Sequence, residues 1–307
     1  MTLIVTVNGP KSIWLLADRR LSIENRPLRD DACKVMFLET IDGVAIFGYA
    51  GLGATGLGTE PADWMTKVLR GRNLSQEQCI QALAEAMSKE FPRHMVRMPW
   101  TGGGPAHHVL VPAFLGEEPR LYGIELVFGP DRKGYIRCTR HVVDKPALAK
   151  PPPLGIAGSG AHYLIAQDKR WARSLLRMVK AADSGRVSPL AVADHLAKLN
   201  NEVHLGVRDK SVGPCCIVAW QYSKGKGVKN SGQGHQFYTG TSRDASSPWL
   251  PTITNGMDLR AISDVIWPHL RRRNRAIRAG QPAKELNRDE LNAELARLPV
   301  EPDENFR

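Results

Sequence analysis

No stretch of this 307-residue sequence approaches the roughly 20 consecutive apolar positions that a membrane-spanning helix needs. C-x-x-C pairs are also absent. The five cysteines, an odd number at positions 33, 79, 138, 215 and 216, argue against a disulfide framework or a metal site and for reduced thiols. No basic region precedes the apolar start, which Asn8, Gly9 and Pro10 interrupt, so no secretory signal is expected and a soluble cytoplasmic protein is. Acids are short: 31 Asp and Glu stand against 42 Lys and Arg, leaving a net charge of +11. That excess favours acidic partners or surfaces and says nothing about the fold. Part of it sits in Lys224, Lys226 and Lys229, and part in Arg271, Arg272, Arg273, Arg275 and Arg278, which have no acid between them. Few aromatics interleave with the arginines, which argues for a solvated helix face and against nucleic acid as a partner.

What is present reads as a globular chain, with 42% hydrophobic and 24% charged residues. Residues 2–7 and 12–17 are apolar or β-branched runs joined by NGPK, a hairpin pattern, and 33–38 and 43–49 form a second such pair around TIDG. Because these runs are apolar at nearly every position, both faces of each strand should be covered. Helical period follows at 62–70 and 75–91, the latter opened by a capping box of Ser75 and Gln78. Strand patterns return at 107–115, 120–128 and 134–143. Helices are expected at 161–179 and 189–203, with Ser188 as cap and Pro189 at the first position, then strands at 215–222 and 235–239. Runs of strands alternating with pairs of helices predict an α+β fold of two antiparallel sheets packed face to face, with a helix pair outside each. Beyond residue 245 the texture changes: TSRDASSPWLPTITNG reads as loop, a helix is expected over 258–278, and a short polar helix precedes a loose end. The organisation expected is a domain at 1–245 and a partly basic helical extension at 246–307.

The chemistry-bearing residues stand at even intervals. Thr2 lies behind Met1, Asp18 in ADRR comes sixteen positions later, Lys34 in ACKV sixteen after that, and Gly48 in IFGYAG a further fourteen. In the hairpin reading, Thr2 starts one strand, Asp18 ends the next and Lys34 lies early in the third, so one end of a sheet can gather them. A second-position threonine is small enough for Met1 to be removed, leaving a free α-amine and a hydroxyl on one residue. Those groups can serve as base and nucleophile. A cationic Lys34, held by Asp18, would push the amine toward its neutral form, and the Gly48 N–H could receive the oxyanion.

On these residues and intervals the chain resembles the proteasome β-subunit and bacterial proteasome-like peptidases, which are N-terminal nucleophile hydrolases. The resemblance covers residues 2–240 and implies a four-layer αββα sandwich. It also implies a threonine-type peptidase that needs no cofactor, acts on peptides or unfolded proteins, and works inside a ring-shaped homo-oligomer, served by an unfolding ATPase. It carries over Ser159, in GIAGSGAHY, as a support for the threonine amine. From the family's D-x-x-S-G-G motif it carries over Asp209 and Ser211, although RDKSVGPCC brings Ser211 one residue early and puts Pro214 where a small residue belongs. By the same analogy, Ile46 and Ala50 wall an apolar specificity pocket.

Other signals point elsewhere. Gly51, Gly53 and Gly56 form a G-x-G-x-x-G after a strand, yet hairpins precede it where a parallel βαβ unit should begin. Adjacent His107 and His108 should face opposite sides of a strand and share no metal. Two further functions stay open: a catalytically silent scaffold that keeps Met1, marked by the altered RDKSVGP stretch, and a small-molecule amidase on the same fold.

Overall fold

Gly9 closes the first turn by donating its N–H to the Ser12 carbonyl at 2.7 Å, and the two apolar runs on either side pair as a hairpin. In the computed structural model of the chain, residues 2–23, 26–51, 60–97, 107–128, 134–142, 154–167, 169–223, 232–245, 249–280 and 287–302 are described. The two runs are β1 (Ile4–Asn8) and β2 (Ser12–Asp18), and every residue in both is buried. Side chains alternate between the faces of a strand. Trp14 and Leu16 therefore enter one apolar cluster, while Ile13, Leu15 and Ala17 enter another. Coverage on both faces is why these strands read as near-continuous apolar runs.

The first sheet adds β10 (Leu154–Ala157) beside β1, and β11 (Cys215–Tyr222), β12 (Gln233–Thr239) and β13 (Ser242–Arg243) beyond β2, all antiparallel. The second sheet is built on β5 (Val35–Glu39) and β6 (Gly43–Gly51), continued by β7 (His107–Leu115), β8 (Glu118–Phe128) and β9 (Gly134–Val142). Its other edge is β14 (Thr252–Thr254) with β15 (Met257–Asp258), and β14 runs parallel to β5, Thr252 opposite Phe37. A small ribbon, β3 (Leu21–Ile23) with β4 (Arg26–Arg29), leads from the first sheet to the second.

Seven helices stand among the described residues, so the chain is α+β, as its pattern predicts. α1 (Pro61–Leu69) and α2 (Gln76–Arg97) bury Trp64, Met65, Leu83, Met87 and Phe91 against Met36, Phe47, Tyr49 and Val109 of the second sheet. The expected capping box is formed: Ser75 N–H donates to Gln78 Oε1 at 3.0 Å, and Gln78 N–H to Ser75 Oγ at 3.3 Å. After the short α3 (Ala161–Ala166), α4 (Arg170–Asp183) and α5 (Pro189–Gly206) bury Leu175, Val179, Leu196 and Val203 against Val5, Trp14 and Val218 of the first sheet. Between the sheets a third cluster joins Ile4, Leu15, Ala17 and Ile217 to Val35, Phe37, Ile46, Leu110 and Phe114. α6 (Leu259–Arg278) and α7 (Arg288–Leu295) complete the chain, with Asp258 and Asn287 as their N-caps.

Three expectations change. The helix predicted over 161–179 is two helices, because Gln167 leaves α3 in extended backbone (ψ 157°) and α4 begins anew at Arg170. The second sheet is not wholly antiparallel. The loop-like stretch after 245 supplies its parallel edge, where the apolar Ile253 is fully buried and Phe37 N–H donates to the Pro251 carbonyl at 2.9 Å. Lys224, Lys226 and Lys229 lie outside the described residues, as do Gly53 and Gly56.

Leu15 sits at the centre of the inter-sheet cluster with no exposed surface. Leu15→Ala is expected to destabilise the protein by about 2–5 kcal/mol, read as a lower midpoint in urea with an unchanged slope.

Candidate active site

Pairing of β1 with β2 brings Thr2 beside Asp18, and the strand entering β5 brings Lys34 to the same end. All three are buried, at 1%, 0% and 2% exposure. The Thr2 hydroxyl donates to Asp18 Oδ1 and accepts from Lys34 Nζ. Lys34 Nζ is also 3.1 Å from Asp18 Oδ1 and donates to the Arg20 carbonyl at 2.6 Å. Asp18 is saturated: its Oδ1 further accepts from Leu3 N–H at 2.9 Å, and its Oδ2 from the N–H groups of Arg20 and Gly213, both at 3.1 Å. Burial lowers the Lys34 pKa below its ordinary 10.5, and the Asp18 carboxylate pulls against that shift. An ammonium so placed gives up a proton more readily than a surface lysine does.

Ser159 and Ser211 form a second string. Ser159 Oγ lies 2.9 Å from Ser211 Oγ and 3.4 Å from the Thr2 carbonyl. One proton per hydroxyl is used when Ser211 donates to Ser159 and Ser159 to Thr2. The sequence reading aimed Ser159 at the threonine amine; the partner it meets is the carbonyl. That carbonyl also accepts from Gly160 N–H at 3.2 Å, and a Cβ on Gly158 (φ +92°) would stand 2.1 Å from the same oxygen, so only glycine fits there. Ser211 is buried despite its early position in RDKSVGP. Lys210 before it adopts φ +52°, a rare conformation for a non-glycine residue, and the exposed Asp209 accepts from Ser211 N–H at 2.9 Å. Asp209 thus fixes the turn from outside.

Gly48 stands apart from this network. It pairs opposite Val35 in β5 and Leu110 in β7, and Tyr49 N–H donates to the Lys34 carbonyl at 3.0 Å. Alternation along the strand turns the Gly48 N–H to the β7 side. A Cβ on Gly48 would meet Leu15 Cδ1 at 2.6 Å, so any larger residue there would have to displace the buried Leu15 side chain. Ile46 and Ala50, both buried, share that face.

Sequence reasoning missed Arg20 and Asp30. The Arg20 guanidinium grips Asp30 with two bonds of 2.7 Å and donates to the Lys210 and Val212 carbonyls at 2.7 and 3.3 Å, binding the β3–β4 region and the 209–213 turn to the site. The hydrogen bond to Asp30 holds Arg20 charged. The second arginine of ADRR and the acids of RDDA were the visible signal. Gly213 was missed too: a Cβ there would lie 2.6 Å from Asp30 Oδ1, and its carbonyl accepts from Asn200 Nδ2 at 3.1 Å.

The competing motifs resolve into packing. Gly51 ends a strand flanked by antiparallel neighbours, outside any βαβ unit. His107 packs on Phe91 and Tyr49, while His108 faces Glu125 at 3.3 Å on the other side of β7. Burial pushes the Cys33 thiol up to about 12 and keeps it inert. His269, Glu290 and Glu294 bring three metal-type ligand atoms together. There, however, Arg272 faces His269 Nδ1 at 3.2 Å, which leaves the proton on Nε2 for Glu294 at 2.8 Å, so the group closes on itself as a polar latch between α6 and α7. A cavity of about 560 Å³ between α4 and α5, lined by Trp171, His195, Lys198 and Glu202 among others, shares no residue with the Thr2 site. Among the described residues, no helix is long and apolar enough to cross a membrane.

No family model matches the sequence, and no curated protein does. Among solved structures, the chain is similar to Anbu (ancestral beta-subunit) from Yersinia bercovieri, at 14% identity and TM-score 0.41 over 76% of this chain and 86% of that one. It is similar also to Anbu from Hyphomicrobium sp. strain MC1, at 12% identity and TM-score 0.42 over 93% and 99%. A Gly-1 mutant of the Hyphomicrobium protein gives 12% and 0.42 over 76% and 86%. These findings correct the resemblance drawn from the sequence: the similar structures are Anbu proteins, not the proteasome β-subunit or bacterial proteasome-like peptidase named there. Identities and TM-scores this low carry no conclusion about activity.

Removing the lysine would strand a buried carboxylate. Lys34→Met is expected to cost about 3–5 kcal/mol of stability, and Asp18→Asn combined with it should cost clearly less than the two single changes added, as measured by urea denaturation. Because burial lowers the folded pKa of Lys34, the unfolded chain holds that proton more tightly. Stability from this group should therefore rise as pH climbs through the lowered value toward 10.5, and Lys34→Met should lack that rise.

Proposed function

We propose that the chain is an amide hydrolase, suited to peptide bonds, that acts through an acyl-enzyme on Thr2 once Met1 is removed. The observation that carries this reading is the Thr2 hydroxyl held between the buried Asp18 and Lys34 side chains. The Thr2 proton passes to a base as Oγ1 bonds to the substrate carbonyl carbon. The base then protonates the departing amine as the C–N bond breaks. Water, deprotonated by the same base, attacks the ester, and the acid leaves as Oγ1 regains its proton. The free α-amine can be that base, as the sequence suggests. Lys34 is a second acceptor, favoured by its direct contact with Oγ1 and its lowered pKa.

Asp18 orients both groups, and the string Asp209, Ser211, Ser159 steadies the Thr2 backbone. The oxyanion falls to Gly48, whose N–H must turn from the β7 side toward the substrate carbonyl. Ile46 and Ala50 give the neighbouring wall an apolar character. The three apolar clusters support a four-layer αββα arrangement. With it we propose a hydrolase domain over 1–245, an extension over 246–307 that lends one edge strand, and a ring-shaped homo-oligomer that receives unfolded substrate from an ATPase. A second reading, a silent scaffold that retains Met1, is favoured by the RDKSVGP departure and by the orientation of Gly48.

The mass of the N-terminal peptide, followed by turnover on a peptide panel set against simple acyl amides, separates these readings. The expected result is a chain starting at Thr2 that cleaves peptides, loses all turnover as Thr2→Ala while still folding, and loses about 10²–10⁴-fold in kcat as Lys34→Met. Turnover should increase with pH as the base loses its proton. Retained Met1 with no turnover supports the scaffold, and turnover surviving Thr2→Ala would sink the proposal.

A further inference from the structure

The C-terminal half of α6 stands out from the body of the protein. Residues 271–275 and 277–280 are all exposed. At about 100° per residue, His269, Arg272 and Ala276 fall on the side of α6 that meets α7, where His269 is buried against Glu294 and Arg272 lies 3.8 Å from Glu290. On the opposite side Trp267, Arg271, Asn274, Arg275 and Arg278 fall within about 100° of arc and form one stripe about 16 Å long. Trp267 is 47% exposed, and the Arg271 guanidinium lies over its ring at 5.6 Å.

From Trp267 to Arg278 this stripe carries three cations and no acid, although the exposed Asp264 lies on the same arc one turn before Trp267. Arg271 with Arg275, four residues apart, and Arg275 with Arg278, three apart, repel one another along the helix. The helix dipole accounts for Arg275 and Arg278 in the last turn but not for Arg271 above them. Every cation here is arginine, whose planar fork matches phosphate oxygens two at a time. An acidic protein surface would also answer the charges. An indole exposed at the end of a cationic track adds what unpaired bases need, a face to stack on. Counting aromatics within 271–278 hides this, because Trp267 lies one turn earlier on the same stripe.

We propose that this stripe of α6 binds single-stranded nucleic acid, with Arg271, Arg275 and Arg278 on successive phosphates and Trp267 stacked on a base. The inference is independent of the hydrolase reading.

The test is fluorescence anisotropy of the full chain with a labelled 12-nucleotide oligothymidylate across a salt series. Binding is expected at 50 mM salt, with log K falling against log salt at a slope of about −2, from ~0.7 for each of three phosphates. Arg271→Ala/Arg275→Ala/Arg278→Ala should abolish most of that slope and weaken binding at least tenfold, with far-UV circular dichroism unchanged. Trp267→Ala should weaken binding about tenfold at every salt concentration and leave the slope intact. Arg173→Ala/Arg177→Ala, which removes exposed charge from α4, should change nothing. No binding at 50 mM salt overturns the proposal, as does a triple variant that binds like the parent. Capture of poly-glutamate in preference to the oligonucleotide would overturn it in favour of an acidic protein partner.

Discussion

A carboxylate with no exposed surface needs every lone pair answered, and Asp18 is such a group. Its five donors come from four separate places: the start of the chain, the residue two positions on, the strand entry at Lys34, and the turn at Gly213. Each donor adds a polar tie to a segment that strand pairing or core packing already brings close. Thr2 and Leu3 are drawn against the end of β2, Lys34 is brought across from the second sheet, and the 211–213 turn is pulled beneath the pair. Arg20 then ties the same turn to Asp30, so the charge on Asp18 is surrounded by groups that are themselves held.

The inter-sheet core sets where that cluster can lie. Leu15 is three residues from Asp18 on β2 and fills the space a Gly48 side chain would need. The two sheets are therefore tightly packed at Gly48. Packing on one side and a buried ion pair on the other leave little freedom for the strands to slide. A shift of one residue in β2 would send Trp14 and Leu16 into the inter-sheet space and turn Asp18 to the other face.

The hairpins, the helix pairs and the capped starts of α2 and α5 could be read from the sequence because each depends on neighbours a few residues away. The meeting of Thr2, Asp18 and Lys34 could be read for a related reason: two consecutive hairpins return the chain to the same end at even intervals. Arg20 with Asp30, and Gly213 beneath Asp18, could not. Their partners are set by a ribbon and by a turn nearly two hundred residues distant, neither of which has a periodic signature. The parallel edge strand Thr252–Thr254 was hidden because three residues are too few for alternation to show, and only the buried Ile253 marks it. The contact between the Ser159 hydroxyl and the Thr2 carbonyl could not be read either, since a spacing does not say which backbone atom a hydroxyl meets.

The burial that lowers the basicity of Lys34 also makes it a weak point in the fold. Desolvation disfavours its ammonium form, so the folded protein holds that proton less tightly than the unfolded chain does. Asp18 offsets this, and the offset depends on the short contacts around Thr2. Any change that loosens those contacts, even one in the inter-sheet core, would expose the pair to water and return the lysine toward its ordinary basicity. Stability and reactivity at this end of the sheets therefore rest on the same exclusion of solvent. A substitution that alters one is expected to move the other with it.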